Sequence, residues 1–240
     1  MQRSGQIMLR SFLATKMHVQ VWYICMLIQM MLESFEEAYE FIKKIRKTLE
    51  GYRMAKLYFK YGCMNSSKSA NLLMIKHNYE EQGFQVLLLK PAIDDREGDA
   101  VIKSRVGLES KCLMVHPHTS IQKIFKENPA DIIMVDEAQF LTKAQVDEMY
   151  EIAFHHNVIC FGLLTDFQQH LFEGSQRLLE LAESLQEIKT VCQCGRRATM
   201  NARFDSNGKL LTHGEQVDIG GNEKYKAMCK YCFEKLKSQS

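Results

Sequence analysis

The run Tyr61-Gly62-Cys63-Met64-Asn65-Ser66-Ser67-Lys68-Ser69 constrains this chain more than any other. Strand-like Lys56–Tyr61 leads into it, and a helix-like stretch from Ala70 to Glu81, free of Gly and Pro, leads out. Strand, small-residue loop, Lys-Ser and helix is the layout of a phosphate-binding loop. Backbone N–H groups at the helix start face an anion, here a triphosphate. Lys68 adds positive charge near the transferred phosphate, and the Ser69 hydroxyl can reach Mg²⁺. Gly62 through Ser69 are therefore candidates for phosphate contact. The strict pattern, G-x-x-x-x-G-K-[ST], has its second glycine where Ser67 stands, and a glycine there lets the backbone approach phosphate closely. A polar loop that merely caps a helix is the competing reading.

Asp131-Ile132-Ile133-Met134-Val135-Asp136-Glu137-Ala138-Gln139 is a short apolar run ending in two acids. Continuous apolar residues of that length suit a central strand of a parallel sheet, covered on both faces. An Asp at the carboxyl end of such a strand is where a nucleotide fold holds its metal. Asp136 is the candidate for Mg²⁺, mostly through water. Glu137 points elsewhere and can serve as a base. A strand ending in a solvated acidic turn is the plainer reading of either acid alone.

Cys192-Gln193-Cys194 and Cys229-Lys230-Tyr231-Cys232 are two close cysteine pairs. They read as a closed four-thiolate zinc site at the base of a ribbon, structural rather than catalytic. Turn signals at Asn207-Gly208 and Gly220-Gly221-Asn222 fall between them. Disulfides or unrelated thiols are the alternatives. No cleavable secretory signal is evident, which weighs against disulfides. Cys25, Cys63, Cys112 and Cys160 are scattered and read as single buried thiols.

The chain has 240 residues, 46% of them hydrophobic, enough for one compact core and a small appended module. Basic and acidic residues number 31 and 29, for a net charge of +2. With no long basic run, a nucleic-acid polymer is not the expected partner. Val19–Leu32 is apolar but too short to span a bilayer comfortably, which takes about 20 residues, so no membrane is expected. Residues 1–53 admit three readings: a helical extension, a membrane-surface segment, or upstream sequence read through to a start at Met54. Met54-Ala55-Lys56, directly before the first core strand, favours the third.

From there strands and helices alternate. Helices are expected over Ser69–Gln82, Ile121–Glu127, Lys143–His156 and Ser175–Leu185. Strands are expected over Val86–Lys90, Cys112–Val115, Ile132–Val135 and Val158–Leu164, with Pro91–Lys111 a polar segment. This pattern predicts an α/β fold, a phosphate-loop (RecA-like) parallel sheet flanked by helices, followed by a small zinc ribbon. The expected divisions are 1–53, an extension; 54–189, the nucleotide domain; and 190–240, the ribbon.

Further landmarks then appear in order: Lys90-Pro91-Ala92-Ile93-Asp94-Asp95-Arg96, Ser104-Arg105, Asp136-Glu137-Ala138-Gln139-Phe140, Asp166-Phe167, Leu171-Phe172-Glu173-Gly174-Ser175 and Ile219-Gly220-Gly221-Asn222-Glu223-Lys224-Tyr225. With them, residues 55–235 resemble the bacterial type II thymidine kinases, the class shared with the human cytosolic enzyme. The resemblance implies transfer of the γ-phosphoryl group of ATP to the 5′-hydroxyl of thymidine, in a cytoplasmic homotetramer. It implies Glu137 as general base and Asp136 as the metal-side acid. Asp94 and Arg96 would belong to a flexible segment near the phosphates. Met64, Leu163 and Tyr225 would line the thymine pocket, and Gln139, Phe140, Phe167 and Phe172 would surround base and sugar. A lasso over Gln216–Tyr225, including Val217, Asp218, Ile219 and Gly220, would hold the base through backbone groups.

A flat, weakly polar thymine ring suits aromatic stacking with a few fixed donors and acceptors, which agrees with those assignments. Taken singly, Phe167 and Phe172 could equally be core, and Tyr225 ribbon packing. The sequence departs from the family at Ser67 and at Leu164, where many relatives carry arginine. Two rivals remain. One is an ATP-driven nucleic-acid motor, although a single core of this size cannot supply two motor lobes. The other is a catalytically weak nucleotide-binding or zinc-ribbon interaction protein.

Overall fold

The computed structural model describes residues 55–92, 100–216 and 224–238. They belong to one compact unit, Ala55–Ser240. The expectations for residues 1–53, for Asp94 and Arg96, and for Val217, Asp218, Ile219 and Gly220 lie outside the described residues.

Six strands form a parallel sheet: β1 (Leu57–Tyr61), β2 (Val86–Pro91), β5 (Leu113–Val115), β6 (Ile132–Val135), β7 (Asn157–Gly162) and β8 (Ser184–Glu187). Their order across the sheet is β5-β2-β6-β7-β1-β8. Every neighbouring pair is parallel. The phosphate-loop strand β1 and the acid-bearing strand β6 are thus one strand apart, separated by β7. Both deliver their carboxyl ends to the same edge of the sheet.

The period of two assigns residues to faces. Leu57, Phe59, Leu87, Leu89, Ile133, Val135, Val158 and Cys160 point one way. They meet Ile121 and Ile124 of α2 (Ile121–Glu127), Val146 and Met149 of α3 (Lys143–Ile152), and Leu178 of α4 (Glu173–Leu181). Leu88, Ile132, Met134, Ile159 and Phe161 point the other way, onto Leu72 and Leu73 of α1 (Lys68–Glu81). Both faces are covered, which is why β6 reads as an unbroken apolar run. Removing such side chains from water contributes roughly 1.5–3 kcal/mol each.

Local chemistry sets the helix starts. Thr142 and Gln145 close a reciprocal capping box at α3, and the Ser120 hydroxyl accepts from Lys123 N at α2.

Three expectations are corrected. The helix expected over Ser175–Leu185 starts at Glu173 and stops at Leu181, and Ser184–Glu187 is instead the edge strand β8, paired with Tyr58–Tyr61. The Glu183 carboxylate accepts from Leu57 N at 2.7 Å and helps hold the chain against β1. The helix expected to run to His156 ends at Ile152. The polar segment Pro91–Lys111 contains a hairpin, β3 (Val101–Lys103) against β4 (Glu109–Lys111). Its turn is closed by the Ser104 hydroxyl, which accepts from Leu108 N and donates to Leu108 O, and Ile102 is buried against the α1 face.

The C-terminal part is a small ribbon. β9 (Thr190–Val191) pairs with β10 (Arg197–Ala198), and β11 (Met200–Phe204) lies between β12 (Leu210–Leu211) and β13 (Tyr225–Met228). A helix not read from the sequence, α5 (Lys230–Lys237), covers it with Phe233.

Candidate active site

The phosphate loop bridges β1 and α1. A Cβ at Gly62 would stand 2.4 Å from the Ile188 carbonyl oxygen and 2.6 Å from Ser66 Oγ, so only glycine lets the chain leave β1 here. Ser67 has φ 59° and ψ 31°, in the left-handed region. That explains why the strict pattern has glycine at this position: an L-residue costs about 1–2 kcal/mol there. Its side chain faces solvent, so the departure loads the backbone and leaves the loop's interior intact.

Lys68 is buried within the loop. Its ammonium donates to the carbonyl oxygens of Gly62 (3.2 Å) and Cys63 (2.9 Å), and lies 3.5 Å from Ser66 Oγ. Burial lowers its pKa, opposed by the negative charges of Glu137 and Asp136. Cys63 is half-buried, and burial pushes its thiol upward. Cys112 and Cys160 are buried.

Asp136 and Glu137 follow β6. Asp136 is buried, with Oδ1 accepting from Glu137 N at 3.1 Å. The nearby Ser69 side chain acts to lower the Asp136 pKa, so two hard oxygen donors of the kind Mg²⁺ requires adjoin. Glu137 sits at φ 52°, again left-handed. That turn separates its carboxylate from that of Asp136. Gln139 Nε2 donates to Glu137 Oε2 at 2.7 Å, while Gln139 Oε1 accepts from Leu163 N at 3.0 Å. A Cβ at Gly162 would lie 2.7 Å from that same Oε1. Glycine at the end of β7 therefore makes room for the side chain that orients Glu137.

The aromatic residues fall into two groups. Phe140 and Phe172 meet edge to face, with centroids 5.6 Å apart. Phe167 is buried beneath the Arg203 guanidinium, 5.0 Å from its ring centre, and Tyr225 lies 5.8 Å from the same guanidinium. Asp166 ties the intervening loop together. Its Oδ1 accepts from Gln168 N and His170 N, and its Oδ2 from Gln216 Nε2. Leu163 is half-buried beside Gln139. Leu164 packs against the α2–α4 core cluster, an apolar setting for the residue that departs from the family.

Asn201 and Arg203, both on β11, were not singled out by the sequence. A lone Asn or Arg in a two-periodic strand carries no signal of its own; only the fold brings them to the loops.

The four cysteine sulfurs of Cys192, Cys194, Cys229 and Cys232 all lie within 4.8 Å of one another, with Cys194 and Cys229 3.6 Å apart. Four thiolates around Zn²⁺ at about 2.3 Å would sit roughly 3.8 Å apart, so the donor set fits a tetrahedral zinc. Backbone N–H groups of Cys194 and Cys229 hold the Cys192 thiol down, to about 6, and that of Cys232 lowers Cys229. Gly195, at φ 83°, turns the chain after the first pair.

A sequence model of the thymidine kinase family matches residues 55–233. The chain belongs to the thymidine kinase family. It is 50% identical to a thymidine kinase of Zymomonas mobilis over 192 residues, covering 77% of this chain and 100% of that protein. A thymidine kinase of Rhodopirellula baltica is 43% identical over 187 residues, 75% of this chain and 89% of the relative. Among solved structures, a replication initiator DnaA bound to AMPPCP and single-stranded DNA aligns at TM-score 0.36 and 18% identity, over 67% of this chain and 48% of that one. That likeness is too distant to bear on function. Among the described residues of this thymidine kinase family chain, no helix is long and apolar enough to cross a membrane.

The pair Asp136 and Glu137 carries a pH signature. Burial first, and then the neighbouring Glu137 carboxylate, raise Asp136 from 3.8 to about 6. The folded protein therefore holds this proton more tightly than the unfolded chain does. The resulting stability is fully present below pH 3.8 and is lost as pH rises through about 6. Asp136→Asn lacks this titration. Its stability relative to the parent should grow by up to about 3 kcal/mol between pH 4 and pH 7.5. Urea denaturation of the ligand-free proteins at both pH values measures the difference, and one independent of pH would rule out the buried-charge account.

Proposed function

We propose that this protein transfers the γ-phosphoryl group of ATP to the 5′-hydroxyl of thymidine, giving dTMP and ADP. The observation that carries the reading is the Lys68–Asp136–Glu137 group at the carboxyl edge of a parallel sheet, with Lys68 and Asp136 buried and Glu137 half-buried, in a chain of the thymidine kinase family.

In this reading the triphosphate lies over Gly62–Ser69, on the N–H groups at the start of α1. Lys68 exchanges its loop carbonyls for phosphate oxygens as the anion arrives. Ser69 and Asp136 would hold Mg²⁺, which would supply charge neutralisation at the phosphate oxygens. Glu137 accepts the proton of the 5′-hydroxyl while the new oxygen–phosphorus bond forms and the bond to ADP breaks. Gln139, bonded to both Glu137 and Leu163, orients the base. Met64, Leu163, Phe140, Phe167, Phe172 and Tyr225 enclose the nucleoside. Asp94 and Arg96, with Val217, Asp218, Ile219 and Gly220, complete the site on the strength of the family resemblance. A homotetramer and a cytoplasmic location rest on that resemblance too. A coupled assay of ADP release, with dTMP identified as product, tests the reading. Phosphate release without thymidine dependence would favour an ATPase instead.

We also propose that the four cysteines hold one structural Zn²⁺. The ribbon's own apolar cluster is small, centred on Met200, Ala202, Phe204, Leu210 and Phe233, and modules of that size are commonly completed by a metal. Protein purified without chelator should contain about one zinc per chain. A folded, active protein with none would end this proposal. Cys232→Ser should lower the zinc content and the ribbon's melting temperature together.

A further inference from the structure

Asn201 sits in the middle strand of the ribbon and is buried. Its side chain leaves the ribbon altogether. Oδ1 accepts from Met64 N at 2.8 Å, in the phosphate loop, and Nδ2 donates to Thr165 O at 3.0 Å, in the loop after β7. Met64 lies in a turn, and Thr165 in a single bridge to Leu171 outside the named strands. One carboxamide thus serves two loops that lie far apart in sequence. A second contact runs alongside, with the Thr190 hydroxyl donating to Asn65 O at 3.2 Å. The ribbon therefore touches the phosphate loop at two successive residues, Met64 and Asn65.

We infer that Asn201 is a positioning residue, which fixes the phosphate loop through Met64 and the nucleoside-side loop through Thr165 and so makes the ribbon part of the active site. The inference rests on the kinase reading above. A carboxamide fits this task because it offers one acceptor and one donor at fixed separation. Both backbone groups are part-buried, so one that loses its partner must turn to water or to another neighbour, and the loop moves to do so.

The test uses the full chain. Binding of a non-hydrolysable ATP analogue and of thymidine is titrated separately by calorimetry, with zinc content and thermal unfolding measured in parallel. Asn201→Ala should weaken both ligands roughly tenfold, the scale of one displaced hydrogen bond, with zinc unchanged. Asn201→Asp keeps the acceptor for Met64 N–H and loses the donor to Thr165. It should recover affinity for the ATP analogue, while thymidine, which regains the Met64 side of its pocket but not the Thr165 side, recovers only in part. That split is a readout a merely structural role would not produce. Parental binding of both ligands by both variants would overturn the inference. So would equal loss of both ligands in both variants, accompanied by lost zinc and early melting. If Asn201→Ala does not fold, the split in Asn201→Asp decides alone. A parent protein that binds the analogue but no thymidine would instead refute the kinase reading, and the analogue titrations would still decide whether Asn201 sets the phosphate loop.

Discussion

Glu137→Gln should bind ATP and thymidine as the parent does and lose roughly 10²–10⁴-fold in kcat. A nucleoside 5′-hydroxyl is neutral and a poor nucleophile, so a carboxylate at hydrogen-bond distance helps most as the phosphoryl group arrives. Glutamine keeps the size of Glu137 and an oxygen able to accept the bond from Gln139 Nε2, now 2.7 Å from the carboxylate. The left-handed turn at φ 52° depends on the backbone and is unaffected by the side-chain change. What disappears is the capacity to take a proton. The substitution also removes a negative charge that raises Asp136, so metal use should not be impaired at mildly acidic pH. Asp136→Asn should behave differently, with weaker Mg·ATP use partly rescued by added Mg²⁺. Direct titrations must accompany the rates, because KM alone can hide a lost chemical step. Near-normal turnover in Glu137→Gln would reject the base assignment.

The sheet was readable because its central strands are covered on both faces. Ile132–Val135 is apolar throughout, and burial on two sides leaves no other composition for it. β8 was not readable. Ser184–Glu187 contains one large apolar residue, Leu185, which is itself half exposed, and the strand exists because β1 offers it an open edge. After Gly174 the helical period of α4 runs up to it without a Gly or Pro, so the pattern alone carries the helix too far. The β3–β4 hairpin was hidden for a related reason: its stability comes from the Ser104 turn and from Ile102 entering the α1 face, neither of which is a periodic signal.

The site divides in the same way. Lys68, Ser69, Asp136 and the four cysteines announce themselves by spacing, because each group must reach one small ion or phosphate from one short stretch of chain. The residues that orient them do not. Gln139 reaches Glu137 and Leu163 at once, and Asn201 reaches Met64 and Thr165, over separations that no local pattern encodes. Ser67 is a partial exception. The glycine of the strict pattern marks this position for close backbone approach, and the structure adds a left-handed backbone that the serine adopts.

Lys68→Ala should lower kcat/KM by roughly 10²-fold or more, since a fixed cation beside developing negative charge is worth about 3–4 kcal/mol. Burial makes the effect large: water cannot substitute for an ammonium enclosed by the loop's own carbonyls. The same enclosure predicts that Lys68→Arg will not rescue. A planar guanidinium is broader than an ammonium, and the loop is closed around Lys68 by Gly62, Cys63 and Ser66. Alanine also removes the cation that offsets Asp136 and Glu137. Asp136 should then hold its proton to higher pH, and the acid limb of the kcat/KM profile should move upward. A pH-rate profile of Lys68→Ala with thymidine and Mg·ATP checks both statements. Activity within threefold of the parent, or an unmoved acid limb, would show that Lys68 neither stabilises the transferred phosphoryl group nor balances the acidic pair.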